Sequence, residues 1–101
     1  MPRAEPITAA GLPWYARRSY PRVLEIMTDG DQMPSSYDHW LARAERAIER
    51  ARHIGLPTLK AHLDPDQFLI WCETHDLEPD NFARVAYVER VLTAEVPEGH
   101  A

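Results

Sequence analysis

Between Tyr37 and Ala51, apolar side chains return every third or fourth position: Tyr37, Trp40, Leu41, Ala44, Ala47, Ile48 and Ala51. This spacing follows the turn of an α-helix and places all seven on one stripe. The opposite stripe is polar, with His39, Arg43, Arg46, Arg50 and His53. Ser35 followed three residues later by Asp38 predicts a capping box at the start of this helix, and Gly55 predicts its stop. A shorter helix is expected from Pro21 to near Gly30, burying Val23, Leu24 and Met27. Alternation changes the picture after Pro57. In the run TLKAHL, Leu59, Ala61 and Leu63 share one face and Thr58, Lys60 and His62 the other, which predicts a half-buried strand.

Asp64-Pro65-Asp66-Gln67 then carries the signature of a helix start, with Asp64 as N-cap and Pro65 in the first turn. The helix is expected to run to about Asp76. Its five consecutive apolar residues, Phe68 to Cys72, predict a position in the middle of the core. A last helix is expected from around Pro79 to before Pro97, with Phe82, Val85, Ala86 and Leu92 on its inner face. Tyr87 and Val91, with Ala83 and Ala94 nearby, fall on a second apolar face. The first 19 residues contain Pro2, Pro6, Pro13 and Gly11 and read as an irregular arm pinned by Trp14 and Tyr15. Residues 97–101 read as a frayed tail.

The predicted fold is therefore mainly α with one short β-strand, an α+β class: a single four-helix domain spanning residues 1–101. One strand leaves backbone groups without partners. It must pair with the N-terminal arm, with the same strand of a second copy, or with a partner's edge. That orphan strand and the second apolar face of the last helix predict a homodimer, with Tyr87, Val91, Leu59 and Ala61 as its self-association residues.

Composition narrows the class. The chain has 101 residues, 45% hydrophobic and 27% charged, with a net charge of -5. A domain this small buries only about 60–65% of its unfolded surface, so association with another chain would strengthen it. A single cysteine, Cys72, excludes an intramolecular disulfide framework and suits a reducing compartment. No apolar run approaches membrane-spanning length, and the N-terminal stretch lacks the uninterrupted apolar core of a signal peptide. A cytoplasmic location is expected.

Charge is uneven along the chain. Residues 1–35 balance, residues 36–55 sum to +1 and residues 56–101 sum to -6. Guanidinium forks at Arg43, Arg46 and Arg50, flanked by His39 and His53, suit carboxylate or phosphate oxygens, so this stripe is the candidate contact for an acidic partner or an anion. Local pairing with Glu45 and Glu49 is the competing role. Cys72 and His75 share a helix side but lack a second ligand pair, and Asp29-Gly30-Asp31 departs from a calcium loop at Met33 and Trp40 and reads as a turn. No phosphate loop, nucleophile elbow or zinc-protease motif occurs. No catalytic residue, metal or cofactor is assigned.

The order of strand TLKAHL, entry Leu63-Asp64-Pro65-Asp66 and turn Asp76-Leu77-Glu78-Pro79 resembles a ribbon-helix-helix module over residues 58–95. The resemblance implies strands paired between two copies, with Thr58, Lys60 and His62 facing the major groove of DNA. The -6 charge of residues 56–101 opposes the cationic contacts that DNA binding uses, so nucleic acid ranks below protein as a partner. Separately, YDHWLARAERA and DPDQFLIWC resemble stretches of small uncharacterised bacterial proteins, which implies a bacterial origin and no activity. The leading expectation is a non-enzymatic bacterial domain that self-associates and binds another protein. A ribbon-helix-helix-like repressor and an acidic inhibitor that mimics nucleic acid are the alternatives.

Overall fold

The strand at Thr58 finds its partner inside the chain. In the computed structural model, which describes residues 9–95, β1 (Ala10–Trp14) and β2 (Thr58–His62) pair in parallel, with Ala10 opposite Thr58 and Trp14 opposite His62. Parallel neighbours need a long crossover. Here it is supplied by α1 (Tyr20–Ile26) and α2 (Tyr37–His53), and β2 is followed by α3 (Pro65–Thr74) and α4 (Asn81–Glu95). Short 3-10 turns at Arg17–Ser19 and Gly30–Gln32 complete the order. The described residues are thus mainly helical, with one two-stranded sheet.

The arm expected to be irregular forms β1, and Pro13 explains why the strand was hidden. At the ends of the ladder the Ala10 N–H donates to Pro57 O at 2.9 Å and the Leu63 N–H to Trp14 O at 3.0 Å. Alternate residues of a parallel strand face its partner, so Ala10, Leu12 and Trp14 turn their backbone groups toward β2 while Pro13 turns away. The missing N–H therefore falls on an outer edge, where it costs no ladder bond.

Helices α2 and α4 cover opposite faces of this sheet. On one face Trp14 meets Trp40 of α2 edge-on, with ring centroids 4.9 Å apart. On the other, a Cβ at Gly11 would lie 2.7 Å from Leu92 Cδ1 and 2.9 Å from Val88 Cγ1, so α4 rests against bare backbone. The core between the layers contains Tyr15, Tyr20, Val23, Met27, Trp40, Ala44, Leu63, Phe68, Cys72 and Ala83.

Helix boundaries follow local chemistry. The cap of α2 is one residue later than the Ser35–Asp38 reading: the Ser36 hydroxyl accepts from the His39 N–H at 3.1 Å, and Ser35 precedes it. At the other end Gly55, with φ +75°, donates to Arg52 O while Leu56 donates to Ala51 O, the paired bonds of a Schellman stop. Asp76, at φ 57°, ends α3 in the same way, with Leu77 donating to Cys72 O. Asp80 starts α4, its carboxylate accepting from the Ala83 N–H at 3.0 Å.

Two burial expectations are corrected. In α3 only the Phe68 and Cys72 side, with Pro65, is buried, and Ile70 is 63% exposed. Ten residues in one layer show one face to the core however apolar the rest are. In α4 the inner face is Ala83, Arg84 and Val88, whereas Phe82 and Val85 are 69% and 61% exposed. The helix is rotated so that Arg84 points inward to a carboxylate and Val88 reaches the Gly11 notch. Leu92 does face the sheet as expected, and the tail at 97–101 lies outside the described residues.

Gly30 tests the rigidity of the turn after α1. A Cβ there would overlap the Leu24 carbonyl oxygen, a backbone atom that cannot rotate aside, whereas the Gly11 notch is closed by side-chain ends. Gly30→Ala should destabilise by about 1–3 kcal/mol and Gly11→Ala by less. Urea unfolding of both variants checks this. Equal losses would show that the notch is as unyielding as backbone.

Candidate functional site

The polar stripe of α2 forms one wall of a cleft of about 710 Å³. Trp40 and Ala44 turn inward from α2 and are buried, which fixes the helix rotation and leaves Arg43, Arg46 and Arg50 exposed along the rim. The floor is Leu12, Pro13, Tyr15, Trp40, Ala44 and Ala47. Facing the arginines are Gln32, Met33 and Pro34 from the loop before α2, with Asn81 and Arg84 from α4.

An aromatic cluster holds this geometry. Trp40 has Trp14 and Tyr15 at 4.9 Å, Tyr37 at 5.2 Å and Tyr20 at 6.1 Å between ring centroids. Edge-on and tilted aromatic pairs add to the stabilisation from area burial alone. The Tyr20 hydroxyl donates to Pro34 O at 2.6 Å, tying the facing wall to α1.

The cleft is also lined by an ion pair between Asp29 and Arg84. Arg84 donates from both terminal nitrogens to the two Asp29 carboxylate oxygens, each at 2.8 Å. Arg84 is only 7% exposed, so the fork is largely removed from water. Its hydrogen bonds hold the Asp29 carboxyl below the usual aspartate pKa. Burial pushes the neighbouring Tyr15 hydroxyl up to about 12, a rise that the Arg84 charge partly opposes. By local pattern Asp29 reads as a turn residue, and nothing near Arg84 in the chain marks it as its partner. The only signal is an arginine inside the otherwise apolar run Phe82–Val88, with its acid far away in the chain.

The rim arginines differ from most of the others. Arg17 pairs with Asp38, Arg22 with Glu25 and Asp66, Arg52 with Glu49 and Arg84 with Asp29. Among the described residues Arg43, Arg46 and Arg50 have no carboxylate within ion-pair distance. The local pairing expected from Glu49 does not reach them, because its carboxylate turns toward Arg52 at 2.7 Å and His53 at 3.9 Å. His39 and His53 do not line the cleft, so the structure gathers three of the five stripe residues.

The remaining candidates are scattered. Tyr87 does not form an outer face: its ring packs edge-on against Phe68 at 5.2 Å and Trp71 at 5.3 Å. Ala61 is buried and Val91 half-buried, and of the four expected self-association residues only Leu59 is exposed. Their common surface is lost because α4 is rotated and β2 is already paired. Lys60 folds back so that its ammonium sits 4.1 Å from the centre of the Trp14 ring, a cation–π contact, while His62 is exposed and Thr58 half-buried. Pairing of β2 with a second copy, as the ribbon-helix-helix resemblance implies, would have to use the strand's other edge. A smaller hollow of about 400 Å³ lies between the end of α2 and β2, lined by Ile48, Arg52, Leu56, Pro57 and Lys60.

Cys72 is enclosed and its thiol pKa is raised by burial, while His75 sits at the exposed end of α3 with its Nδ1 2.9 Å from Trp71 O. Among the described residues no cluster of three metal-ligating side chains occurs. No helix among them is long and apolar enough to cross a membrane. No family model, curated protein or solved structure matches the chain.

The ion pair predicts an acid-sensitive fold. Asp29 has a lowered folded-state pKa, so its contribution is complete above the ordinary aspartate value of about 4 and drains away as the pH falls through the folded-state value. Asp29→Ala leaves the Arg84 charge enclosed without its acid and should cost about 3 kcal/mol at neutral pH. Urea melts from neutral to acid pH should show the variant's deficit shrinking as wild type loses the same pair. A deficit independent of pH would assign the loss to packing.

Proposed function

We propose that this chain is a non-enzymatic protein-interaction domain that holds an acidic segment of a partner in the arginine cleft. The observation that carries this reading is that Arg43, Arg46 and Arg50 line one cleft together without acids of their own, whereas Arg18 and Arg90, also without an acid partner, stand singly outside it. Guanidinium groups donate to carboxylates two bonds at a time, and the partly apolar floor beside the exposed arginines adds surface that such a segment can cover. A protein partner is favoured over nucleic acid because the chain carries a net charge of -5, and a polyanion spanning many phosphates would meet that charge beyond the cleft. A short acidic segment would not.

A glutamate-rich synthetic peptide tests the reading, with fluorescence of Trp40 and Trp14 as the signal. Binding should weaken as salt rises from about 50 to 500 mM, since screening acts on exposed charges. The triple variant Arg43→Ala, Arg46→Ala, Arg50→Ala should lose about ten-fold or more in affinity while its urea midpoint stays nearly unchanged, because all three side chains are exposed. Arg18 and Arg90, exposed and outside the cleft, serve as controls. Equal loss on replacing those two, or none on replacing the three, would end the proposal.

Self-association is a second reading, favoured by the exposed Phe82 and Val85 three positions apart on α4. Sedimentation at micromolar concentration should then show a dimer that Val85→Glu dissociates. A wild-type monomer would remove it.

A further inference from the structure

We infer that the segment held in the cleft is an amphipathic acidic α-helix lying alongside α2, with carboxylates at positions i, i+3 and i+7. The inference rests on the cleft being an acidic-segment site and specifies the segment's conformation. Spacing decides it. On a helix rising 1.5 Å per residue, Arg43 and Arg46 are set about 4.5 Å apart along the axis, and Arg46 and Arg50 about 6.0 Å. A second helix reproduces both intervals with acids three and four residues apart. In an extended chain, side chains on one side recur about every 6.7 Å, so by the third carboxylate it would overshoot Arg50 by about 3 Å. Helices crossing near 20° keep this match over two turns, since their axes diverge little across such a length.

The floor fits the same occupant. Ala47 is small and half-buried beside the arginine stripe, so a neighbouring helix can approach α2 there. Met33, Pro34 and Leu12 provide apolar surface beside the charged rim. A partner whose acidic strip borders an apolar strip covers both, whereas a uniformly acidic chain leaves the apolar side wet. Its short helix would be marginal alone and would gain helicity on docking.

Two peptides of identical composition distinguish this from other occupants. One places three glutamates at i, i+3 and i+7 with leucines on the adjoining strip; the other places the same glutamates at every second position. The first should bind the full chain about ten-fold or more tightly and gain helical circular dichroism on mixing. Changing its middle glutamate to Gln should weaken binding to wild type but have little further effect on Arg46→Ala, which shows that the two groups face each other. Equal or tighter binding of the alternating peptide, or binding without helix gain, overturns the helical occupant and leaves the acidic site standing. Failure of both peptides overturns the site and the inference together. Tighter binding of single-stranded oligonucleotide, abolished by the arginine triple variant, would overturn the protein partner.

Discussion

A guanidinium shut away from water must keep its carboxylate, and in this fold that requirement joins parts of the chain that no local pattern connects. Arg84 on α4 holds Asp29 in the turn after α1, and beside them the Thr28 N–H donates to Pro79 O at 2.9 Å. Losing either charge would leave the other enclosed, which costs far more than the pair gains over apolar residues. The pair therefore acts more as a constraint on arrangement than as a source of stability. It sets the rotation of α4, and from that rotation come the inward Ala83 and Val88, the seating of Val88 and Leu92 on Gly11, and the outward Phe82 and Val85. It also fixes the far wall of the cleft, since Asn81 and the loop through Met33 and Pro34 flank the same junction.

The reversal of α4 shows where reading apolar periodicity stops. Phe82 and Val85 are stronger hydrophobes than Ala83, and transfer energy alone would bury them. Ala83 is buried because it is small enough for close packing next to a residue that has to reach a carboxylate in another segment. Helix α2 was legible because its apolar residues lie on one stripe and its stop is a glycine at positive φ. The strand pairing was legible only as a need. The Thr58 strand had to find a partner, but the segment that supplies it contains a proline and a glycine that would ordinarily argue against a strand. Pro13 is tolerated because it faces the outer edge, and Gly11 is required because a helix lies on it. Both depend on tertiary neighbours that spacing along the chain does not encode.

The arginine stripe was visible in the sequence, while the cleft was not. Three features turn a solvated face into a lined cavity: the facing wall from residues 32–34, the α4 residues brought close by the Asp29 pair, and the diversion of Glu49 to Arg52. The first two are long-range. The third is a choice between the helix neighbours three positions before and after Glu49, Arg46 and Arg52, which differ little in energy when exposed. His39 and His53 belong to the stripe by period but fall outside the cavity, so a helical wheel overstates the site by including every residue of one polarity.

Charge accounting shows why an acidic chain can keep a basic wall. Several of its carboxylates have other partners: Asp80 caps α4 through the Ala83 N–H, Asp38 meets Arg17, Asp66 meets Arg22 and Asp29, though it lines the cleft, is held by the Arg84 fork. Several of these lie at helix starts, where exposed N–H groups favour negative charge. The exposed Glu73, Asp76 and Glu89 line no part of the cleft. Within a screening distance of about 8 Å, the local potential at Arg43, Arg46 and Arg50 is set by those residues, by Glu45 and Glu49 on the same helix and by the neutralised Asp29 pair, more than by the net charge of the chain. The sign of the whole molecule therefore limits how large an anionic partner can be accommodated, while the sign of the cleft decides what part of that partner is held.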